Sequence, residues 1–203
     1  MAERLPRRAR ANPEVRRAQI LDEAVRVIGR SGYHGFTVLE LAKRCGVTNG
    51  ALLYYFGSKE QLLAAVLEEH DQRLADAALA PSQEVPSEQA EDEPPRGDCS
   101  RAAVLARLRP LIERAAADPE LTHLQAVLQQ EALDPAHPAH GYFEARERSV
   151  LEAFARIVAP HVAARELFAM MQGLEQRWLR AGRAFDLPAA WDQAVAKLLP
   201  TAN

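Results

Sequence analysis

The sequence predicts an all-α protein in two parts, a small N-terminal three-helix unit and a larger C-terminal helical body. Three observations lead there. Apolar residues recur at helical spacing along most of the 203 residues, without the alternation a strand requires. Side-chain caps, glycines and prolines fall where those patterns start and stop. Between Phe36 and Lys59, two short helix patterns join at Gly46 and a third start follows, the layout of a helix-turn-helix.

Asn12 and Pro13 read as an N-cap and a first-turn proline, so a first helix runs from about residue 13 to 30. Ile20, Leu21, Ala24, Val25 and Ile28 form its apolar stripe. Thr37 and Glu40 make a capping box, flanked by Phe36 and Leu41 at the staple positions, and start a second helix near Val38. Gly46 ends it, because a left-handed C-terminal residue carries no penalty only as glycine. Thr48 caps a third helix reaching about Tyr55, with Val47, Leu52 and Phe56 inward. Thr48, Asn49, Ala51, Tyr54 and Tyr55 are expected outward. Ala42, Cys45, Gly50 and Ala51 are small where crossing helices need close approach. Ser58 and Gln61 form a second capping box for a helix to about Leu79, whose stripe is Leu62, Leu63, Val66, Leu67 and Leu74.

Residues 81–99 are rich in proline and acid and read as a flexible loop. Ser100 then caps a helix to about Ala117, with Val104, Leu105, Leu108, Leu111 and Ile112 inward and Pro110 as a potential kink. Asp118 and Pro119 open the next, to about Leu133, and residues 134–138 form a loop. A long amphipathic helix from about Gly141 to Ala159 carries Phe143, Val150, Leu151, Phe154 and Ile157. After Pro160, a helix from about His161 to Ala181 carries Leu167, Phe168, Met171, Leu174 and Trp178 and stops at Gly182. A last helix, about Pro188 to Leu199, carries Trp191, Val195, Leu198 and Leu199.

Charge divides the chain along the same line. Residues 1–59 hold 11 basic and 5 acidic side chains, whereas residues 60–203 hold 14 and 23. A basic head on an acidic body suits nucleic-acid binding by the head alone. The arm with Arg4, Arg7, Arg8 and Arg10 could follow phosphates or enter a minor groove, or be a solvated tail. No run approaches the ~20 apolar residues of a membrane span, and the N-terminus lacks a secretory core. Cys45 and Cys99 form no disulfide or metal pattern, so a reducing cytoplasm is expected. His123, His137, His140 and His161 raise a metal-dependent enzyme as a remote alternative, but no ligand set is completed. No nucleophile elbow, phosphate loop or dinucleotide fingerprint is present. No catalytic residue, metal or cofactor is expected.

The chain resembles the TetR family of transcriptional regulators. The resemblance is carried by Ile20-Leu21-Asp22-Glu23-Ala24, Gly32 to Val38, Leu41-Ala42, Gly46-Val47-Thr48, Gly50, Leu52 and Phe56-Gly57-Ser58-Lys59-Glu60-Gln61-Leu62-Leu63, within about residues 14–66. It implies a DNA-binding head, residues 1–58, and a regulatory and dimerisation body, residues 59–203. It also implies a homodimer on a palindromic operator, most simply a repressor released by a small-molecule effector. The alternative is a body that docks a protein partner. Expected DNA-binding residues are Thr37, Thr48, Asn49, Gly50, Ala51, Tyr54, Tyr55 and Lys59. Asn49 and Ala51 suit adenine and the thymine methyl, and the threonines, Tyr54 and Lys59 suit phosphates. The family usually has tyrosine where this chain has Leu53, and Tyr54 stands beside it to take that contact. Candidate ligand-binding residues are His123, Val127, Glu131, Phe143, Phe154, Phe168, Met171 and Gln172. Candidate dimer-interface residues are Leu167, Met171, Leu174, Trp178, Trp191, Val195 and Leu198, a helix-spaced seam that could equally pack within one chain.

Overall fold

The computed structural model describes residues 12–79, 101–157 and 161–199. The basic arm, the segment 81–99 with Cys99, and Pro160 lie outside the described residues, as does the side chain of Leu74. The described regular structure is helical throughout. In order it comprises α1 (Pro13–Gly35), α2 (Val38–Arg44), α3 (Asn49–Phe56), α4 (Lys59–Leu79), α5 (Arg101–Ala117), α6 (Pro119–Glu131), α7 (His140–Ile157), α8 (His161–Arg180) and α9 (Leu187–Leu198).

The head is set by its caps. Asn12 Oδ1 accepts the Glu14 N–H at 3.1 Å, Thr37 Oγ1 the Glu40 N–H at 3.1 Å, and Thr48 Oγ1 the Ala51 N–H at 3.1 Å. Ser58 Oγ accepts the Gln61 N–H at 3.1 Å. Neither capping box closes reciprocally. Glu40 instead accepts from Arg44 Nε at 3.3 Å, and the Gln61 side chain folds over Gly57. At the α2–α3 turn, Gly46 has φ +64°, and the N–H groups of Gly46 and Val47 return to the carbonyls of Lys43 and Ala42 at 3.1 and 3.0 Å. That is a Schellman turn, and it aims α3 across α2.

The first helix is longer than its sequence pattern predicts. It passes Arg30, breaks at Gly32 (φ +70°, ψ 174°), and makes one more turn to Gly35. That turn buries Tyr33 and leads to fully buried Phe36. Ile20, Leu21, Ile28, Phe36, Leu41, Leu52, Leu62 and Leu63 form the head core, which continues into Leu121, Leu124 and Leu128 of α6 and Phe143 of α7. Burying such side chains contributes about 1.5–3 kcal/mol each, enough to hold helices of 7 and 8 residues that are too short to stand alone.

A second core joins Val104, Leu108 and Ile112 of α5 to Phe154 of α7, Leu167 and Trp178 of α8, and Leu187, Trp191 and Val195 of α9. Leu167, Trp191 and Val195 are fully buried and Trp178 nearly so. These four, expected at a dimer interface, are instead internal: α9 folds back along α5 and α8 and covers them. Only Leu174 and Leu198 of that set are half-exposed without lining a cavity. Leu111, expected inward, is exposed because it stands at the mouth of the cavity described below. Helix α5 continues through Pro110.

Candidate nucleic-acid interface and effector cavity

The outward face of α3 presents Thr48, Asn49 and Gly50 to solvent, and Tyr54 is 89% exposed. Ala51 is half-buried, as is Leu53 beside Tyr54. Thr37 and Thr48 spend an acceptor lone pair on their caps but keep a hydroxyl hydrogen to donate.

Two expected contact residues are turned elsewhere. Tyr55 is half-buried against the head core, because its position on α3 follows Leu52 and Phe56 rather than Tyr54. Lys59 lays its ammonium 4.5 Å from the ring centroids of both Tyr33 and Phe36, a cation–π contact within the head. Arg17 similarly lies over Phe56, 5.5 Å from its centroid. Cys45 packs at the head core; burial first, then the Glu23 charge, pushes its thiol up and leaves it unreactive.

Below the head, α5, α6, α7 and α8 line an open-mouthed cavity of about 560 Å³, the size that takes a drug-sized molecule. Its apolar wall includes Leu121, Phe143, Val150, Phe154, Phe168 and Met171, and its polar wall includes Gln125, Gln129, Arg146, Gln172 and Glu175. Five expected ligand residues line it: Phe143, Phe154, Phe168, Met171 and Gln172. Met171, also expected at the dimer seam, lines the cavity. The other three do not line it. His123 is exposed, Val127 lies off the cavity, and Glu131 is turned toward α1. Glu175 was not visible to periodicity, since a single glutamate in a helix usually marks the solvated face. Burial pushes its carboxyl up to about 7, partly offset by Arg146.

Sequence reasoning also missed the junction between cavity and head. Glu131 Oε2 accepts the Tyr33 N–H at 2.7 Å, reaching the backbone exposed by the break at Gly32. The Tyr33 hydroxyl donates to Glu60 Oε1 at 3.0 Å, in the first turn of α4. Burial, then Glu60, pushes the Tyr33 phenol up to about 12. Glu60 lies below the usual carboxylate range, chiefly through the Ser58 hydroxyl and then its own backbone and Tyr33. His137 is buried beside this group, with Nε2 3.8 Å from Glu131 and Nδ1 accepting the Ala139 N–H at 3.1 Å. Burial lowers its pKa, against the pull of Glu131. Further out, Arg26 of α1 meets Glu120 of α6 at 2.9 Å, and Asp71 of α4 accepts from Tyr142 and Arg146 of α7 at 2.9 and 2.7 Å.

Among the described residues there is no cluster of three or more potential metal ligands, and no helix long and apolar enough to cross a membrane.

Residues 20–66 match the family described as bacterial regulatory proteins, tetR family. The HTH-type transcriptional regulator BetI of Rhizobium meliloti is 44% identical over 66 residues, 32% of this chain and 32% of that protein. The match therefore covers about a third of that relative's length. Over the whole chain the likeness is one of fold. A TetR family regulator from Agrobacterium tumefaciens superposes with a TM-score of 0.65 at 19% identity, covering 93% of this chain and 97% of that one. FadR from Bacillus subtilis, solved in complex with stearoyl-CoA, gives 0.65 at 17% identity, covering 92% and 99%. The family match falls on the capped helices of the head, so residues 20–66 carry the helix-turn-helix unit of the tetR family, and the likeness of fold extends through the all-helical body.

Proposed function

We propose that the protein is a transcriptional repressor that binds a palindromic operator as a homodimer and is released when a small molecule fills its cavity. The observation that carries this reading is the pairing of an exposed α3 face with an open-mouthed cavity on one continuous packing path. Residues 1–58 read DNA, and residues 59–203 sense and dimerise, in the cytoplasm. Helix α3 lies in the major groove, with Asn49 toward adenine and the Ala51 methyl toward thymine, while Gly50 allows close approach. Thr37, Thr48 and Tyr54 hold phosphates. Two heads are needed, because one short helix reads too few base pairs. The outer faces of α8 and α9, with half-exposed Leu174 and Leu198, remain to pair two chains.

The release path follows the contacts. Helix α6 lines the cavity with Gln125 and Gln129, and its last residue, Glu131, holds Tyr33. Helix α7 lines it with Arg146, which holds Asp71 of α4. A ligand that prefers a wider cavity would displace both anchors and reset the spacing of the two heads. The cavity favours this over a body that only docks a protein, and the stearoyl-CoA held by a FadR of the same fold supports small-molecule sensing.

Genomic fragments selected by the purified protein would supply the operator. Asn49→Ala should then lose about 1–3 kcal/mol of binding at one base position and relax the preference there. A uniform loss across all single-base variants would remove Asn49 from the base readers.

A further inference from the structure

The polar side chains around the cavity are mostly committed. Arg146 is bonded to Asp71 at 2.7 Å, and Arg114 is also engaged. The Thr122 hydroxyl is taken by the carbonyls of Ala115 and Asp118, each at 2.9 Å. Gln172 donates to Gln129 at 3.5 Å. Glu175 on α8 differs: among the described residues its carboxylate accepts no hydrogen bond. The cation that acts on it is Arg146, whose charge is already met by Asp71. The remaining ionisable groups at the cavity are Asp118 of α6 and His140, Glu144 and Glu147 of α7. With Glu175 they make four carboxyls against the two engaged guanidiniums. The apolar wall includes Phe154 and Phe168, edge to face at 5.9 Å.

We propose, resting on the effector role given above, that the cavity takes a ligand with an apolar body and one protonated amine, and that Glu175 receives the ammonium. A half-buried carboxylate on an apolar cavity wall, with no hydrogen-bonding partner in the protein, is costly to ionise, and an ammonium supplies both the charge and the hydrogen bonds it lacks. The phenylalanine rings accept a cation on their faces. A ligand anion would meet Glu175 inside and the exposed Glu144 and Glu147 at the rim, with both arginines engaged.

Proton balance follows from the carboxyl's position near 7 in the empty cavity. Close to neutrality about half of these groups are protonated, and an ammonium binds the ionised form. Binding therefore releases a proton, and affinity rises with pH through that range. An alkylammonium itself stays charged throughout.

The test uses the full chain and three probes of equal length: decylammonium, decanol and decanoate, each below its micellar concentration. Calorimetric titrations at pH 6 and pH 8, in two buffers of different ionisation heat, report affinity and proton release together. Decylammonium should bind most tightly, gain about tenfold from pH 6 to pH 8, and release a proton. Glu175→Gln should lose about tenfold for decylammonium at pH 8, lose the pH dependence, and bind decanol as before. Tighter binding of decanoate than decylammonium, or Glu175→Gln binding decylammonium like the parent, overturns the proposal and leaves the effector role standing. No binding of any probe overturns both. The order of the probes and their pH dependence in the parent protein decide the matter even where the variant does not fold.

Discussion

The head and the body solve opposite problems with the same secondary structure. In the head, α2 and α3 are two turns each, capped by Thr37 and Thr48 and closed over Leu41, Leu52 and Phe56. Its interior is mostly apolar, and buried Tyr33 has its polar groups bonded to Glu131 and Glu60. In the body, α5 to α8 run 13 to 20 residues yet leave an open volume of about 560 Å³ among them, with glutamines and a carboxyl facing in. A filled interior resists deformation; one with a void and unsatisfied polar groups surrenders stability to gain an occupant.

The contrast predicts unequal penalties for similar truncations. Leu52→Ala, at a fully buried site, should cost about 3–4 kcal/mol, whereas Met171→Ala, which enlarges an existing cavity, should cost about 1 kcal/mol. Urea denaturation monitored by circular dichroism compares them, and equal costs would break the distinction. Gly32→Ala strikes the boundary between the two regions. Its backbone lies where essentially only glycine is comfortable, and an added Cβ would overlap the Glu131 carboxylate. Strain and the displaced hydrogen bond together should cost about 2–3 kcal/mol, seen as a lower denaturation midpoint.

Titration of Glu175 probes the body alone. A carboxyl whose folded pKa is raised to about 7 binds more protons folded than unfolded. Stability is therefore lost as pH rises from the ordinary carboxylate range through about 7. Glu175→Gln should remove that slope and stabilise the empty protein at pH 8 by on the order of 1–2 kcal/mol, allowing for water in the cavity. Parallel stability–pH curves for the two proteins would show that Glu175 is not the group responsible. The smallest effect belongs to Lys59→Ala. Its ammonium serves the Tyr33 and Phe36 rings, so the head should lose about 0.5–1 kcal/mol while the salt dependence of DNA binding stays unchanged. A shallower salt slope would return Lys59 to the phosphates.

What could be read from the sequence was what is decided locally. Thr37, Thr48, Ser58 and Asp118 act within three residues of themselves, and Gly46 and Gly182 end helices by their own backbone freedom, with φ +64° and +63°. The outward positions of Thr48, Asn49 and Tyr54 followed from the same local spacing, whereas Ala51 and Tyr55, expected with them, are half-buried. What could not be read is decided at a distance. The Tyr33 N–H and the Glu131 carboxylate are 98 positions apart. Trp178, Trp191 and Leu167 are apolar at helical spacing, which suits an internal core and a partner chain equally; only the return of α9 onto α5 separates the two. The cavity is harder still, because residues that line a void have the composition of residues that fill one. Phe143 and Phe154 were identifiable as inward, but Glu175 was not.

Tyr33 is held by its amide to the body, by its hydroxyl to the start of α4, and by its ring beneath Lys59. This makes the head a less portable module than its recognisable outline suggests. A chimera carrying residues 12–58 onto a different body would bring the kinked end of α1 but not the carboxylate that closes it. Such a graft needs an acid at the place Glu131 occupies, or its reading helix will sit on an unanchored first helix.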